Sequence, residues 1–314
     1  MINKNMSNKI YVIGHKSPDL DSVIGAISYA NFKNKIENTD IYQPAIAGDL
    51  NEETKHVLMK AKLSLPVLLE DLTEKKVIMV DHNEFSQAIN NIEKAEILEV
   101  LDHHKINFQY SFPINFKTAP LGASCSLIYQ EFKKHSILIE ENLALAMLSA
   151  ILVDTVITKS PTCTEVDKEI IEDLAKLANI DDWRSYGIEL FKIRSSVEKL
   201  KVDEIITSDF KEFDIKDGKI GIGQVETVDL SSFEERKTEL LQALKDLKEK
   251  ENFHSVILFI TDIIKEGSLF LISSNEKEKI NQAFNVEFID NTCYINGIIS
   301  RKKQVVPKIK EVFN

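Results

Sequence analysis

Three short apolar runs set the frame for this chain. Residues Ile10–Ile13 (IYVI), 77–80 (VIMV) and 97–101 (ILEVL) are too short for helices and apolar nearly throughout, the pattern of strands buried inside a sheet. Helical patterns lie between them, at 52–62 and on the face formed by Val23, Ile24, Ile27 and Ala30. Strands alternating with helices predict a parallel sheet covered on both faces, and so an α/β fold.

Helical patterns continue beyond the third run. Pro120-Leu121-Gly122 opens one that reaches Lys133, 142–157 (NLALAMLSAILVDTVI) is apolar nearly all round, and 168–178 and 183–193 are amphipathic. Around 197–211 the pattern turns charged and irregular, which places a domain boundary near residue 190. Beyond it, strands are expected at 220–225, 255–260, 268–272 and 294–299, with helices at 232–250 and 276–284. At 314 residues two domains fit the usual size range: 1–190, and a smaller α/β unit at 195–314. Neither a GxGxxG fingerprint nor a Walker A loop occurs, and there is no internal repeat.

Composition narrows the function classes. Fifty acidic against 39 basic side chains leave a formal charge of −11, which argues against a non-specific nucleic-acid binder but leaves room for a local cationic pocket. Three scattered cysteines make no disulfide framework and no CxxC pair, so a reducing compartment is expected. Residues 1–9 lack the apolar core of a signal peptide, and the most apolar stretch, 143–153, is too short to span a bilayer. The expected setting is cytoplasmic, without a membrane partner.

All three apolar runs lead into Asp and His. His15, Asp19 and Asp21 follow the first, Asp81-His82 the second, and Asp102-His103-His104 the third. Ligands of open parallel sheets bind beyond the carboxyl ends of the strands, so these groups, distant in sequence, can meet. Bare carboxylates at close range repel, and a divalent cation removes the conflict. Mixed Asp and His donors suit Mn²⁺, Co²⁺, Fe²⁺ or Zn²⁺, and paired ions of this kind hydrolyse phosphate bonds. Taken singly, Asp19 and Asp21 after Pro18 read better as a turn and a helix cap, with Asp21 or Ser22 capping. Asp154 is harder to explain away. It interrupts an apolar helical pattern and needs a proton, a cationic side chain or a metal. Ser300-Arg301-Lys302-Lys303, after the predicted strand 294–299, would suit an anionic substrate.

GHKSPDLDS (14–22), VDHNE (80–84), LDHHK (101–105), LVDT (152–155) and SRKKQVVP (300–307) together resemble the family II, manganese-dependent inorganic pyrophosphatases of the DHH phosphoesterase superfamily. The resemblance spans essentially the whole chain. It implies a parallel-sheet DHH domain plus a smaller C-terminal α/β domain of DHHA2 type, with the active site in the cleft between them. It implies two Mn²⁺ (or Co²⁺) per chain, one on His15, Asp19 and Asp81, the other on Asp21, Asp81, His103 and Asp154, with Asp81 bridging. Substrate contacts would come from His104, Lys211, Arg301 and Lys302, with Mg²⁺ arriving on the pyrophosphate. The reaction implied is hydrolysis to two orthophosphates by a hydroxide bridging the metals, with His104 a candidate proton donor. A hinge near 195–202 would close on substrate, and the protein would be a homodimer. Alternatives are an exopolyphosphatase or small-nucleotide phosphodiesterase of the same superfamily and, from another class, a non-catalytic metal- or phosphate-binding regulator.

Overall fold

A computed structural model describes residues 9–194, 200–216 and 218–313. The chain divides into two compact units, 1–194 and 195–314. The hinge expected near 195–202 falls largely on 195–199, outside the described residues.

In the first unit the elements run β1 (Ile10–Ile13), α1 (Leu20–Glu37), β2 (Tyr42–Ile46), α2 (Glu52–Lys60), β3 (Val67–Leu68), β4 (Lys76–Val80), β5 (Glu96–Asp102), β6 (Asn115–Thr118), α3 (Ser124–Lys134), α4 (Glu141–Asp154), α5 (Glu165–Leu177) and α6 (Trp183–Arg194). The six strands form one parallel sheet in the order β3-β2-β1-β4-β5-β6. The chain builds outward from β1 through β2 to β3, then returns to β1's other side with β4. That reversal is a topological switch point, where the loops after β1 and β4 diverge and open a crevice.

Strand β4 shows how the apolar pattern seats the sheet. Val77 and Met79 pack in a cluster with Ile13, Leu72, Ala88, Ile89 and Ile92. Val80 points the other way, so close to α1 that a Cβ on Gly25 would lie 2.8 Å from it. Both faces of β4 are therefore covered, as expected. Between β4 and β5 the chain makes short 3₁₀ turns (Phe85–Gln87, Ile92–Lys94), and Ala88, Ile89 and Ile92 from this connection join the apolar cover of one face.

Strands β2, β3 and β6 escape the sequence reading for physical reasons. β2 carries Pro44 in YQPAI, which pattern reading demotes. β3 pairs only with Ala45 and Ile46, so Pro44's missing N–H faces no neighbour on that side. β3 is two residues long and β6 (NFKT) has no apolar run.

The run 142–157 is not one helix. α4 stops at Asp154, and Val156, Ile157 and Thr158 adopt positive φ of 50°, 51° and 67°. Asp154 thus closes the helix rather than interrupting it.

The second unit contains α7 (Val202–Ile206), β7 (Lys211–Ile215), β8 (Gly218–Thr227), α8 (Ser231–Glu235), α9 (Lys237–Lys250), β9 (Ser255–Asp262), β10 (Gly267–Ser274), α10 (Lys277–Phe284), β11 (Thr292–Asn296), a π-helical turn (Arg301–Val305) and α11 (Val306–Phe313). Its mixed sheet has the order β11-β10-β9-β8-β7, with β8 and β9 parallel and the other pairs antiparallel. β9 is buried along its whole length, as its unbroken SVILFI predicts. The last strand ends at Asn296, short of the expected 299, because Gly297 turns the chain at φ +75°. Arg301 and Lys302 therefore open a helical segment capped by Ser300, rather than ending a strand.

Candidate metal centre

Loops from β1, β4 and β5 and the ends of α1 and α4 bring Asp and His side chains to one place. Gly14 lets the first loop fold back. A Cβ there would overlap Ser22 Oγ, which accepts a hydrogen bond from the His15 backbone N–H at 3.1 Å. Asp19 is the N-cap of α1, its carboxylate accepting from Ser22 N at 2.9 Å, a contact worth about 1 kcal/mol. The cap is thus Asp19, not Asp21 or Ser22. Asp21, in the first helical turn, is wholly buried and accepts the backbone N–H groups of Ser124 and Cys125 at 2.6 and 3.0 Å.

Asp81 sits at the centre. Its φ is +64°, a left-handed conformation that Asp tolerates better than most residues, and its side chain is buried. One oxygen, Oδ2, lies 3.5 Å from His15 Nε2, which is also 3.4 Å from Asp19 Oδ2. The other, Oδ1, lies 3.5 Å from His103 Nε2, which is 3.6 Å from Asp154 Oδ2. Among the described residues, donor atoms form three overlapping groups, each within 4.8 Å: His15, Asp19 and Asp81; Asp21, Asp81, His103 and Asp154; and Asp81, His103 and His104.

The donor set fits divalent ions. His103 gives its Nδ1–H to the Leu121 carbonyl at 2.9 Å, which leaves Nε2 as a bare lone pair. That buried nitrogen has no hydrogen-bond partner among the described residues, yet it faces two carboxylates. Lone pairs aimed at carboxylate oxygens repel unless a cation lies between them. Separations of 3.4–3.6 Å are too long for good hydrogen bonds and suit two ligands that each reach one ion at about 2.0–2.2 Å. In the bare chain, burial pushes the Asp81 carboxyl well up, and Asp21, Asp19 and Asp154 push it further. Asp154 is raised likewise, by burial first and then by Asp21 and Asp19. Burial works to raise Asp19 too, but His15 outweighs it and holds that carboxyl below its usual value. A cation would relieve the same repulsion.

Asp102 stands apart from these groups. Its Oδ1 meets His104 Nδ1 at 2.8 Å and its Oδ2 accepts from Asn83 at 2.5 Å. The Asp102 hydrogen bond raises the pKa of His104, whose ring is half exposed. His82 is buried with Nδ1 against the Val80 carbonyl, and burial depresses its pKa to about 4, so it stays neutral. Ser124, which sequence reading passed over, donates its hydroxyl to Asp81 Oδ1 at 2.9 Å. Nothing local marks it, since an isolated serine at a helix start reads as an ordinary cap.

The remaining predicted residues lie in the second unit. Arg301 is buried, and its guanidinium donates to the Asp209 carboxylate at 2.7 Å and to the Asp209 carbonyl. Its Nη1 lies 3.5 Å from the carbonyl of Ile222, the register partner of Lys211 at the start of β7. Lys211 and Lys302 are exposed. Asp209, the anchor of Arg301, went unnoticed in the sequence because it lies 92 residues away.

Residues 9–151 match the DHH family N-terminal domain and 188–312 match the DHHA2 domain. The manganese-dependent inorganic pyrophosphatase of Methanothrix thermoacetophila is 43% identical, over 98% of this chain and 99% of its own length. That of Bacillus subtilis is 38% identical over 96% and 98%. The chain belongs to the manganese-dependent inorganic pyrophosphatase family. Among solved structures, a Methanococcus jannaschii protein assigned to the family II inorganic pyrophosphatases matches with a TM-score of 0.63 at 39% identity, covering 97% of this chain and 99% of that one. The parallel-sheet first unit and the smaller second sheet of this family member agree with the fold class expected from its sequence. Among its described residues no helix is long and apolar enough to cross a membrane.

Proposed function

We propose that this chain hydrolyses inorganic pyrophosphate to two orthophosphates with manganese as its resident metal. The observation that carries the reading is the Asp81 carboxylate, whose two oxygens face two separate His-and-Asp groups. Full-length relatives bearing that activity in their names support it.

In this reading His15, Asp19 and Asp81 hold one ion, and Asp21, Asp81, His103 and Asp154 hold the second. Bound there, the ions supply Lewis-acid stabilisation and a nucleophile active near neutral pH. The protein's own contribution is orientation. Leu121 and Ser124 aim His103 and Asp81, while Asp102 keeps the exposed His104 ring in place as a donor toward substrate oxygens. Arg301, Lys302 and Lys211 offset the charge of the pyrophosphate, with Arg301 preset by Asp209. Magnesium enters with the substrate. The metal ligands thus belong to residues 1–190 and the substrate cations, His104 apart, to residues 195–314.

The same reading takes the protein as a cytoplasmic homodimer that acts on a small anion, with neither nucleic acid nor membrane as partner. The acidic charge and unpaired cysteines support the setting. For dimerisation, the outer strand β3 offers exposed Val67 and Leu68.

Phosphate release from pyrophosphate, tripolyphosphate and a cyclic dinucleotide, with Mn²⁺ added after chelation, tests the proposal. Release from pyrophosphate should dominate. Preference for either other substrate, or no turnover at all, would overturn it.

A further inference from the structure

Much of the metal centre's geometry leans on one short stretch, residues 121–126. The Leu121 carbonyl accepts the His103 Nδ1–H, the Ser124 and Cys125 N–H groups donate to the Asp21 carboxylate, and the Ser124 hydroxyl donates to Asp81. What fixes this stretch comes from elsewhere in the chain.

Asp167, in the first turn of α5, is wholly buried. Its Oδ2 accepts the Thr164 N–H and hydroxyl at 2.8 and 2.7 Å, which completes a capping box. That duty needs neither burial nor further partners. Yet Oδ2 also accepts Gly122 N–H at 2.8 Å, and Oδ1 accepts the Ser126 hydroxyl at 2.6 Å. The two bonds grip the 121–126 stretch near both ends, across 45 and 41 positions of sequence. A Cβ on Gly122 would lie 3.0 Å from Asp167 Oδ2 and 2.5 Å from Thr155 Cγ2, so the approach requires glycine. Burying a carboxylate is costly, and these four donors offset the cost.

We propose that Asp167 is a positioning residue of the metal centre: by gripping Gly122 and Ser126 it sets the aim of Asp21, Asp81 and His103 without touching them. This rests on the metal-holding role proposed above for those three side chains.

The test is calorimetric Mn²⁺ titration of the chelated, full-length protein. Asp167→Ala should weaken binding about tenfold, the low end of what losing a direct outer partner of a metal ligand costs, because Asp167 acts one contact further out. Asp167→Asn should stay close to wild type, because its carbonyl serves Gly122 and Thr164 while the Ser126 hydroxyl reverses to accept from the amide. Should the alanine variant fail to fold, Ser126→Ala removes one grip alone and should weaken binding about 2- to 10-fold. Ser149→Ala loses a 2.7 Å bond to Tyr186 in the same unit and one to the Leu145 carbonyl, neither of them on the stretch, and should leave affinity unchanged. Wild-type affinity in a folded Asp167→Ala, or in Ser126→Ala where the Asp167→Ala variant does not fold, would overturn the proposal, as would equal weakening in Ser149→Ala. An Asp81→Asn control separates the two levels. If it loses Mn²⁺ while Asp167→Ala keeps it, only this proposal falls. If the wild-type chain binds no Mn²⁺, the metal reading falls and takes this one with it.

Discussion

His103 points Nε2 at the Asp81 carboxylate across 3.5 Å, while its other ring nitrogen is held by the Leu121 carbonyl. The lone pair and the ionised carboxylate repel each other unless a cation lies between them. The pair suits the cation proposed for it, and the consequences can be measured.

Asp81→Asn preserves the side chain's shape, and Asn tolerates the positive φ found here. Removing the charge shared by both donor groups should strip manganese from both and lower turnover by about 10³-fold or more, since charge stabilisation worth several kcal/mol is lost. Metal content per chain and phosphate release check this. Substantial turnover with full metal content would remove Asp81 from the metal-holding role proposed for it.

Lys302 is exposed, so its loss should leave the fold intact. Lys302→Ala should reduce kcat/KM for pyrophosphate by about tenfold, the worth of one charge-assisted hydrogen bond, with Mn²⁺ affinity unchanged. Arg301→Ala should do the same and also lower the melting temperature, because Arg301 is buried against Asp209. Loss of metal in the lysine variant would refute the assignment of metals and cations to different residues.

His82 makes the chelated protein acid-sensitive. Burial holds its pKa near 4, against 6.5 when exposed. Between those values the unfolded chain takes up a proton that the folded chain refuses. Stability therefore falls as pH drops from 6.5 to 4, by about 3 kcal/mol. Asp81 and Asp154, whose carboxyls are raised without metal, act in the opposite sense and gain stability as pH falls toward 3.8. Urea midpoints of wild type and His82→Gln across this range isolate the histidine. A slope unchanged by the substitution would assign the effect elsewhere.

The Asp102 hydrogen bond raises the pKa of His104. Asp102→Asn should move the His104 titration to lower pH, read from its imidazole NMR signals, and shift the alkaline side of any His104-dependent activity the same way. An unmoved titration would mean that the bond does not persist in solution.

The strand ends were legible in the linear chain because burial on both faces makes a run of a few consecutive residues apolar and so leaves a local trace. IYVI, VIMV and ILEVL declare themselves, and the Asp and His after each fall where parallel sheets bind ligands. The short, Pro-bearing or polar strands β2, β3 and β6 leave no such trace. Folding alone decided that Asp154 closes its helix, that Asp102 orients His104 instead of joining a donor group, and that Asp209 anchors Arg301. It also decided which residues brace the donors, Ser124 and Leu121 directly and Asp167 from behind. The physical reason is range: hydrophobic periodicity is a property of neighbours along the chain, whereas these hydrogen bonds join groups that become neighbours only when the sheet and helices pack.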